Sequence, residues 1–260
     1  MSQNPQKPQK NHPNIQGYKI CHYKTATSTN DVAKELAKKS NEEKTIVLAE
    51  VQKDGKGRMG RQWISPKGGL WFSIILRPQM SPKEALKLTF ITSSAVAKTI
   101  ETMFCLKTAV KWPNDVLVNG RKICGILTET STRENVIDFV IVGIGINANI
   151  NLDSFPANLQ DTVTSLKHEL GYNIRQKTLM KNFLQNFEHR YKLLQRRRWT
   201  VLLQEWKGLA TFLGKQVEVV SFDEVLVGEA WDVCDDGALI LRLKDGVLKR
   251  VVAGDVELRT

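Results

Sequence analysis

KWPNDVLVNGRKICGILTE, residues 111–129, is the stretch on which the reading of this chain turns. Its aliphatic runs, Val116–Val118 and Ile123–Leu127, flank Asn119-Gly120, the residue pair that suits a two-residue hairpin because both positions must take positive φ. The stretch therefore predicts antiparallel strands near 115–119 and 122–130. Trp112-Pro113 is a rigid, bulky step that sets off a polar pair, Asn114 and Asp115. Lys122 opens an otherwise apolar strand. Such a lysine either snorkels to solvent or stands where an anion must be met, and these residues alone leave both readings open. Gly125, shortly after it, lets a ligand lie against the backbone.

Upstream, TIVLAEVQ (45–52) and GGLWFSIILRP (68–78) read as strands, the second closed by Pro78. Between them lies GKGRMGR (55–61), in which Gly55, Gly57 and Gly60 spell G-x-G-x-x-G. A dinucleotide fingerprint opens a helix, whereas this one runs into Trp63-Ile64-Ser65-Pro66 and then a strand. A Walker loop is excluded because no G-K-[ST] closes it. What remains is a loop whose glycines let main-chain N–H groups approach an anion, with Lys56, Arg58 and Arg61 adding full charges. The plainer alternative is a solvated basic hairpin loop.

Further out, STNDVAKELAKKS (28–40) predicts a helix capped by Ser28 or Thr29. Val32 and Leu36 share one face, and Lys38 and Lys39 complement its C-terminal end. Ser81-Pro82-Lys83-Glu84 is a capping box with proline at the first helical position, opening a helix to about Met103. Strands are expected near 107–111 and 137–146. GIGINAN (143–149) taken alone is a strand-terminating turn. After a polar loop (149–162), helical stretches are expected at 163–170 and 176–207. From Gly214 onward come only short β segments, KQVEVV, VLVGEAWDV, ALILRL and VLKRVVAGDVELR, turned by Asp236-Gly237 and Asp245-Gly246. They predict a small SH3-like β-barrel over 212–260, behind a domain over 18–211. Residues 1–17 have no apolar core and read as a floppy tail.

The chain has 260 residues, 42% apolar and 25% charged, which excludes collagenous, fully disordered and disulfide-scaffold classes. A formal net charge of +11 favours anionic partners without choosing among them. Cys21, Cys105, Cys124 and Cys234 contain no C-x-x-C, so reduced thiols and a cytoplasmic location are expected, without a metal site. No apolar stretch reaches the roughly 18–20 residues that cross a bilayer, and no secretory signal is present, so no membrane partner is expected.

Taken in order, STN, Gln52 before GKGRMGRQW, KWPND, RKICGIL and GIGIN resemble the biotin–protein ligases, and the match runs from about Tyr18 to the C-terminus. The resemblance implies an α+β catalytic domain similar to the class II aminoacyl-tRNA synthetases, followed by a small SH3-like domain. It implies biotin contacts at Ser28, Thr29, Asn30, Gln52, Lys56, Gly57, Arg58, Lys122 and Gly125. The nucleotide side falls on Arg58, Arg61, Trp63, Asn114, Asp115, Lys122 and Asn147. Arg58, Lys122 and Asp115 are the implied catalytic groups. Trp63 is expected to cover the adenine. The family often has arginine where Lys56 and Met59 stand here, so Met59 loses a charge.

The implied reaction forms biotinyl-5'-adenylate from biotin and ATP, with Mg²⁺ arriving on the ATP phosphates. The biotinyl group then passes to a lysine of a biotin carboxyl carrier domain of a carboxylase. Longer members carry an N-terminal helix-turn-helix. This chain resembles the ligase-only form, so no sequence-specific DNA binding is expected, while dimeric relatives admit a homodimer. Two rivals stand beside this reading. A lipoate–protein ligase shares the chemistry, and a nucleic-acid-binding module would account for the +11 charge and Arg196-Arg197-Arg198, a run that otherwise reads as a solvated helix end.

Overall fold

The computed structural model describes residues 14–40, 42–221 and 224–258. Asn14–Ile15 (β1) turns back through Gly17 onto Tyr18–Ala26 (β2), with Ile15 opposite Tyr18. The ordered chain thus starts before Tyr18, and residues 14–17 are not a tail. The pairing explains this, because Ile15 packs against the main core. Residues 1–13 lie outside the described residues.

Thr29–Lys39 (α1) crosses from β2 to Thr45–Gln52 (β3), which runs parallel to β2. Leu70–Leu76 (β4) follows, antiparallel to β3 and buried at every position. A strand this uniformly apolar is covered on both faces. Here α1 covers one face, while Lys87–Phe104 (α2) and Gln176–Gln195 (α5) cover the other. Thr108–Lys111 (β5), Asp115–Val118 (β6), Arg121–Arg133 (β7) and Val136–Ile146 (β8) complete the mixed sheet, ordered β1-β2-β3-β4-β8-β7-β6-β5. The β6–β7 turn falls on Asn119-Gly120, with φ of 50° and 75°.

The capping box at Ser81 forms, with the Glu84 carboxylate accepting from the Ser81 N–H at 3.1 Å and its Oγ–H at 3.0 Å. It closes a single 3₁₀ turn, Pro82–Glu84, and the α-helix begins only at Lys87. After β8 come two short helices, Ala157–Gln160 (α3) and Leu166–Leu170 (α4). The long helical stretch expected over 176–207 is two helices, α5 and Trp199–Leu209 (α6). The chain breaks at Arg196–Arg198, where Arg197 takes φ 58° and all three arginines are exposed. Phe183, Phe187 and Tyr191 stack along the buried side of α5.

Gln216–Val220 (β9), Val225–Val233 (β10), Leu239–Arg242 (β11), Leu248–Val251 (β12) and Asp255–Leu258 (β13) form a second, antiparallel sheet ordered β12-β11-β10-β9-β13. Among the described residues no pairing joins β12 to β13, so the pairing shows an antiparallel sheet and not the closed form of the barrel expected for 212–260. The segment 247–258 also divides into β12 and β13 around Gly254, whose φ is 144°. This sheet shares the main hydrophobic core, through Val217, Val219, Leu239 and Leu241. The Trp112 indole N–H donates to Gly237 O at 2.9 Å and that of Trp199 to Asp235 O at 2.7 Å. No helix among the described residues is long and apolar enough to cross a membrane. All four cysteines are free thiols.

Candidate functional site

The site is built on the α1 face of the mixed sheet, from the start of α1, the end of β3, the loop between β3 and β4, and the β6–β7–β8 strands. The first α1 N–H groups lack intrahelical acceptors. Ser28 occupies the cap position without a side-chain cap bond. Instead Gln52, at the end of β3, accepts from the Thr29 N–H at 2.7 Å and the Thr29 Oγ–H at 3.0 Å. Gln52 Nε2 in turn donates to Ser65 Oγ at 2.8 Å. Asn30 is buried, with Nδ2 donating to Glu129 Oε2 at 2.6 Å and Oδ1 lying 2.6 Å from Ser73 Oγ. The fold therefore brings Ser28, Thr29, Asn30 and Gln52 together as a polar wall.

The floor is glycine. Gly125 on β7 and Gly145 on β8 are register partners, and the Trp63 indole lies over both. A Cβ on Gly125 would stand 2.7 Å from the Trp63 ring, and one on Gly145 2.4 Å from its Nε1. The close approach expected of a ligand at Gly125 is thus occupied by Trp63, which the sequence reading placed over an adenine. The glycines explain this, since the indole reaches the sheet only where no side chain stands. Trp63 Nε1 is buried without a hydrogen-bond partner, a polar atom ready to donate.

Lys122 heads β7 with Nζ 4.9 Å above the Trp63 ring and 2.8 Å from Asp115 Oδ1. The contact is an ion pair by distance but lacks hydrogen-bond alignment. The Lys122 side chain is 29% exposed and that of Asp115 12%, so the pair is sheltered but reachable. The Lys122 backbone is also clamped, N–H to Thr162 O at 2.8 Å and C=O from the Thr164 N–H at 2.9 Å. Asn147, after GIGI, ties the same loop through Nδ2 to Thr164 O at 2.9 Å and keeps a buried, unpartnered Oδ1. Asn114 donates to Ile126 O at 2.9 Å, and with Arg58 it borders a cavity of about 220 Å³ over β7.

In the basic loop, Gly57 N–H bonds to Arg61 O and Trp63 N–H to Gly55 O, at 2.7 and 2.8 Å. These amides, expected to cradle an anion, are engaged within the loop, because Lys56 and Gln62 pair as a short antiparallel bridge. Met59 takes φ 56°. Each loop cation has a carboxylate partner. Lys56 Nζ lies 2.7 Å from Asp31 Oδ2, Arg58 Nη1 lies 3.4 Å from Asp255 Oδ1, and Arg61 contacts Asp255 Oδ2. Among the described residues no group of three His, Cys, Asp or Glu side chains is set to hold a metal.

Sequence reasoning missed Ser73, Glu129, Gly145, Asp31 and Asp255. Ser73 sits in an otherwise apolar strand, a signal that was present. Gly145 lay inside a motif already noted. Asp31 and Asp255 stand in ordinary polar contexts and carried no signal.

The Biotin/lipoate A/B protein ligase family model matches residues 23–147, and the Biotin protein ligase C terminal domain model matches 212–259. The chain is 36% identical over 245 residues to the bifunctional ligase/repressor BirA of Bacillus spizizenii, covering 94% of this chain and 75% of the relative. It is 31% identical over 200 residues to the biotin--[acetyl-CoA-carboxylase] ligase of Paracoccus denitrificans, covering 75% and 83%. A biotin protein ligase from Aquifex aeolicus, solved with biotin and ATP, superposes with a TM-score of 0.79 at 27% identity, over 92% of this chain and 98% of that one. The chain belongs to the biotin protein ligases of the biotin/lipoate A/B protein ligase family.

Proposed function

We propose that the chain activates biotin with ATP and transfers the biotinyl group to a lysine of a biotin carboxyl carrier domain, at the site around Lys122. The observation that carries this reading is Lys122 itself, a sheltered cation held by Asp115 at the rim of a glycine floor, beside a polar wall suited to a ureido ring. Ser28, Thr29, Asn30 and Gln52 would hydrogen-bond that ring, with Lys56 and Gly57 lining the rest of the biotin slot, while Gly125, covered by Trp63, would act on biotin only through that indole. Arg58, Arg61, Trp63, Asn114 and Asn147 would hold the nucleotide.

In the first step a biotin carboxylate oxygen attacks the α-phosphorus of ATP, the α–β bridging P–O bond breaks, and pyrophosphate leaves. Two anions must meet while negative charge builds on the phosphorus oxygens. Lys122 neutralises that charge from a position set before the substrates arrive, and Arg58 joins it as the nucleotide binds. Mg²⁺ enters as part of the nucleotide substrate. In the second step a carrier lysine amine attacks the carbonyl carbon of the mixed anhydride, and AMP leaves with the bridging oxygen. Asp115 orients Lys122 and is the carboxylate of these motifs able to accept the amine proton.

We read the second sheet as an SH3-like unit beside a catalytic domain over 18–211, and place the enzyme in the cytoplasm, with a homodimer admitted. Biotin-dependent ATP–pyrophosphate exchange, followed by mass analysis of a carrier domain, tests the activity. Exchange driven by lipoate instead of biotin would overturn it.

A further inference from the structure

Asp255 is the first residue of β13, in the second sheet, yet its carboxylate engages both Arg58 and Arg61, 197 and 194 positions earlier in the chain. The Arg58 side chain is 23% exposed and that of Asp255 22%, while that of Arg61 is 59% exposed. Burial pulls the Arg58 pKa down and Asp255 pushes it back up. A half-buried guanidinium that waits for an anionic substrate needs a counter-ion meanwhile, because an unpaired charge there carries a desolvation cost.

The geometry of Arg58 is that of a temporary arrangement. Its Nη1 is shared among Asn114 Oδ1 at 3.4 Å, Gly254 O at 3.2 Å and Asp255 Oδ1 at 3.4 Å. All three are long for a charge-assisted bond, which runs at about 2.7–2.9 Å when well made. Arg58 is therefore held by several weak acceptors and locked by none. A triphosphate offers more charge and bidentate oxygens in the same place.

We propose that Asp255 is a placeholder counter-ion. It occupies the phosphate-binding faces of Arg58 and Arg61 in the unliganded enzyme, and ATP must displace it. Asp255 is thus a positioning residue that sets nucleotide affinity from outside the catalytic motifs. The proposal rests on the assignment of Arg58 and Arg61 to the nucleotide above. Its consequence is a specific asymmetry. Removing the carboxylate relieves competition for ATP, while the wall of Ser28, Thr29, Asn30 and Gln52 assigned to biotin does not touch Asp255, so biotin binding is unaffected.

The test measures ATP and biotin dependence of pyrophosphate exchange in the full chain, with equilibrium ATP binding, for the wild type, Asp255→Asn, Asp255→Ser and Asp255→Glu. We expect the two neutral variants to lower the KM and Kd for ATP about 3- to 10-fold, with the KM for biotin and the Tm unchanged, and Asp255→Glu to restore wild-type behaviour. ATP binding that is unchanged or weaker in both neutral variants, with biotin binding intact, overturns the placeholder role and leaves Asp255 a structural tie. A wild-type chain without biotin-dependent exchange would instead remove the site assignment, and the placeholder with it.

Discussion

Lys122 combines three restraints that rarely coincide on a lysine: a clamped backbone, an aromatic face beneath its ammonium and a carboxylate beside it. Each narrows the positions open to Nζ, so the charge is fixed before substrate arrives and little reorganisation remains for the reaction. Replacing it with alanine should lower biotin-dependent pyrophosphate exchange by about 10²–10³-fold, the usual loss for one preorganised transition-state contact. The same change strands the Asp115 carboxylate, so Asp115→Asn in the Lys122→Ala background should recover stability without recovering rate. Thermal melts and exchange rates on the single and double variants check this. Near-normal exchange in Lys122→Ala would return the residue to the snorkelling reading. Cys124 illustrates the opposite case, since burial pushes its thiol pKa up and keeps it unreactive although it sits beside the site.

At the scale of elements, the β7–β8 pair works as a floor because two glycines face each other across it. Gly145→Ala puts a methyl group within 2.4 Å of Trp63 Nε1 and must lift the indole from the sheet. We expect altered tryptophan fluorescence and impaired biotin binding with the β-sheet circular dichroism retained. An unchanged emission spectrum together with normal biotin affinity would mean that Trp63 does not rest there. The start of α2 offers a pH-dependent test of another kind. Lys87, and then Ser81, bond the Glu84 carboxylate and hold its pKa down at about 2. A depressed carboxylate contributes stability that is fully present above its unfolded value, near 4.5, and is lost as pH falls toward 2. Because the group is partly exposed, roughly 0.5–1 kcal/mol is expected. The stability gap between wild type and Glu84→Gln, measured by urea titration, should hold at pH 7 and narrow by pH 3. A gap that does not narrow would assign the effect to something other than the ionised cap.

Over the whole molecule, the second sheet is joined to the first by a continuous core, by two tryptophan N–H donors and by the Asp255 contact to the basic loop. The formal net charge of the chain is +11, and the Arg196–Arg198 run lies exposed between two helices. Binding to duplex DNA should accordingly be weak, indifferent to sequence and steeply reduced by salt. Gel-shift titrations against operator-like and random duplexes at two salt concentrations check it. Tight preference for one duplex at physiological salt would overturn this expectation.

What the sequence determined by itself is whatever rests on near neighbours. The Asn119-Gly120 turn, the α1 periodicity, the Ser81–Glu84 cap and the all-apolar β4 are short-range matters of φ, side-chain spacing and hydrogen-bond reach, and all were legible. The break between α5 and α6 was not, because Arg197 enters the left-handed region without a glycine or proline to announce it. Nor was the open second sheet, since closure depends on whether distant edges meet. In the site, motif residues were legible as types, but their partners were not. Gln52 capping α1, Trp63 lying on Gly125 and Gly145, and Asp255 holding Arg58 and Arg61 arise from strand register and from the docking of one sheet on another. Those contacts form only when packing brings together segments up to 197 residues apart, which no local pattern encodes.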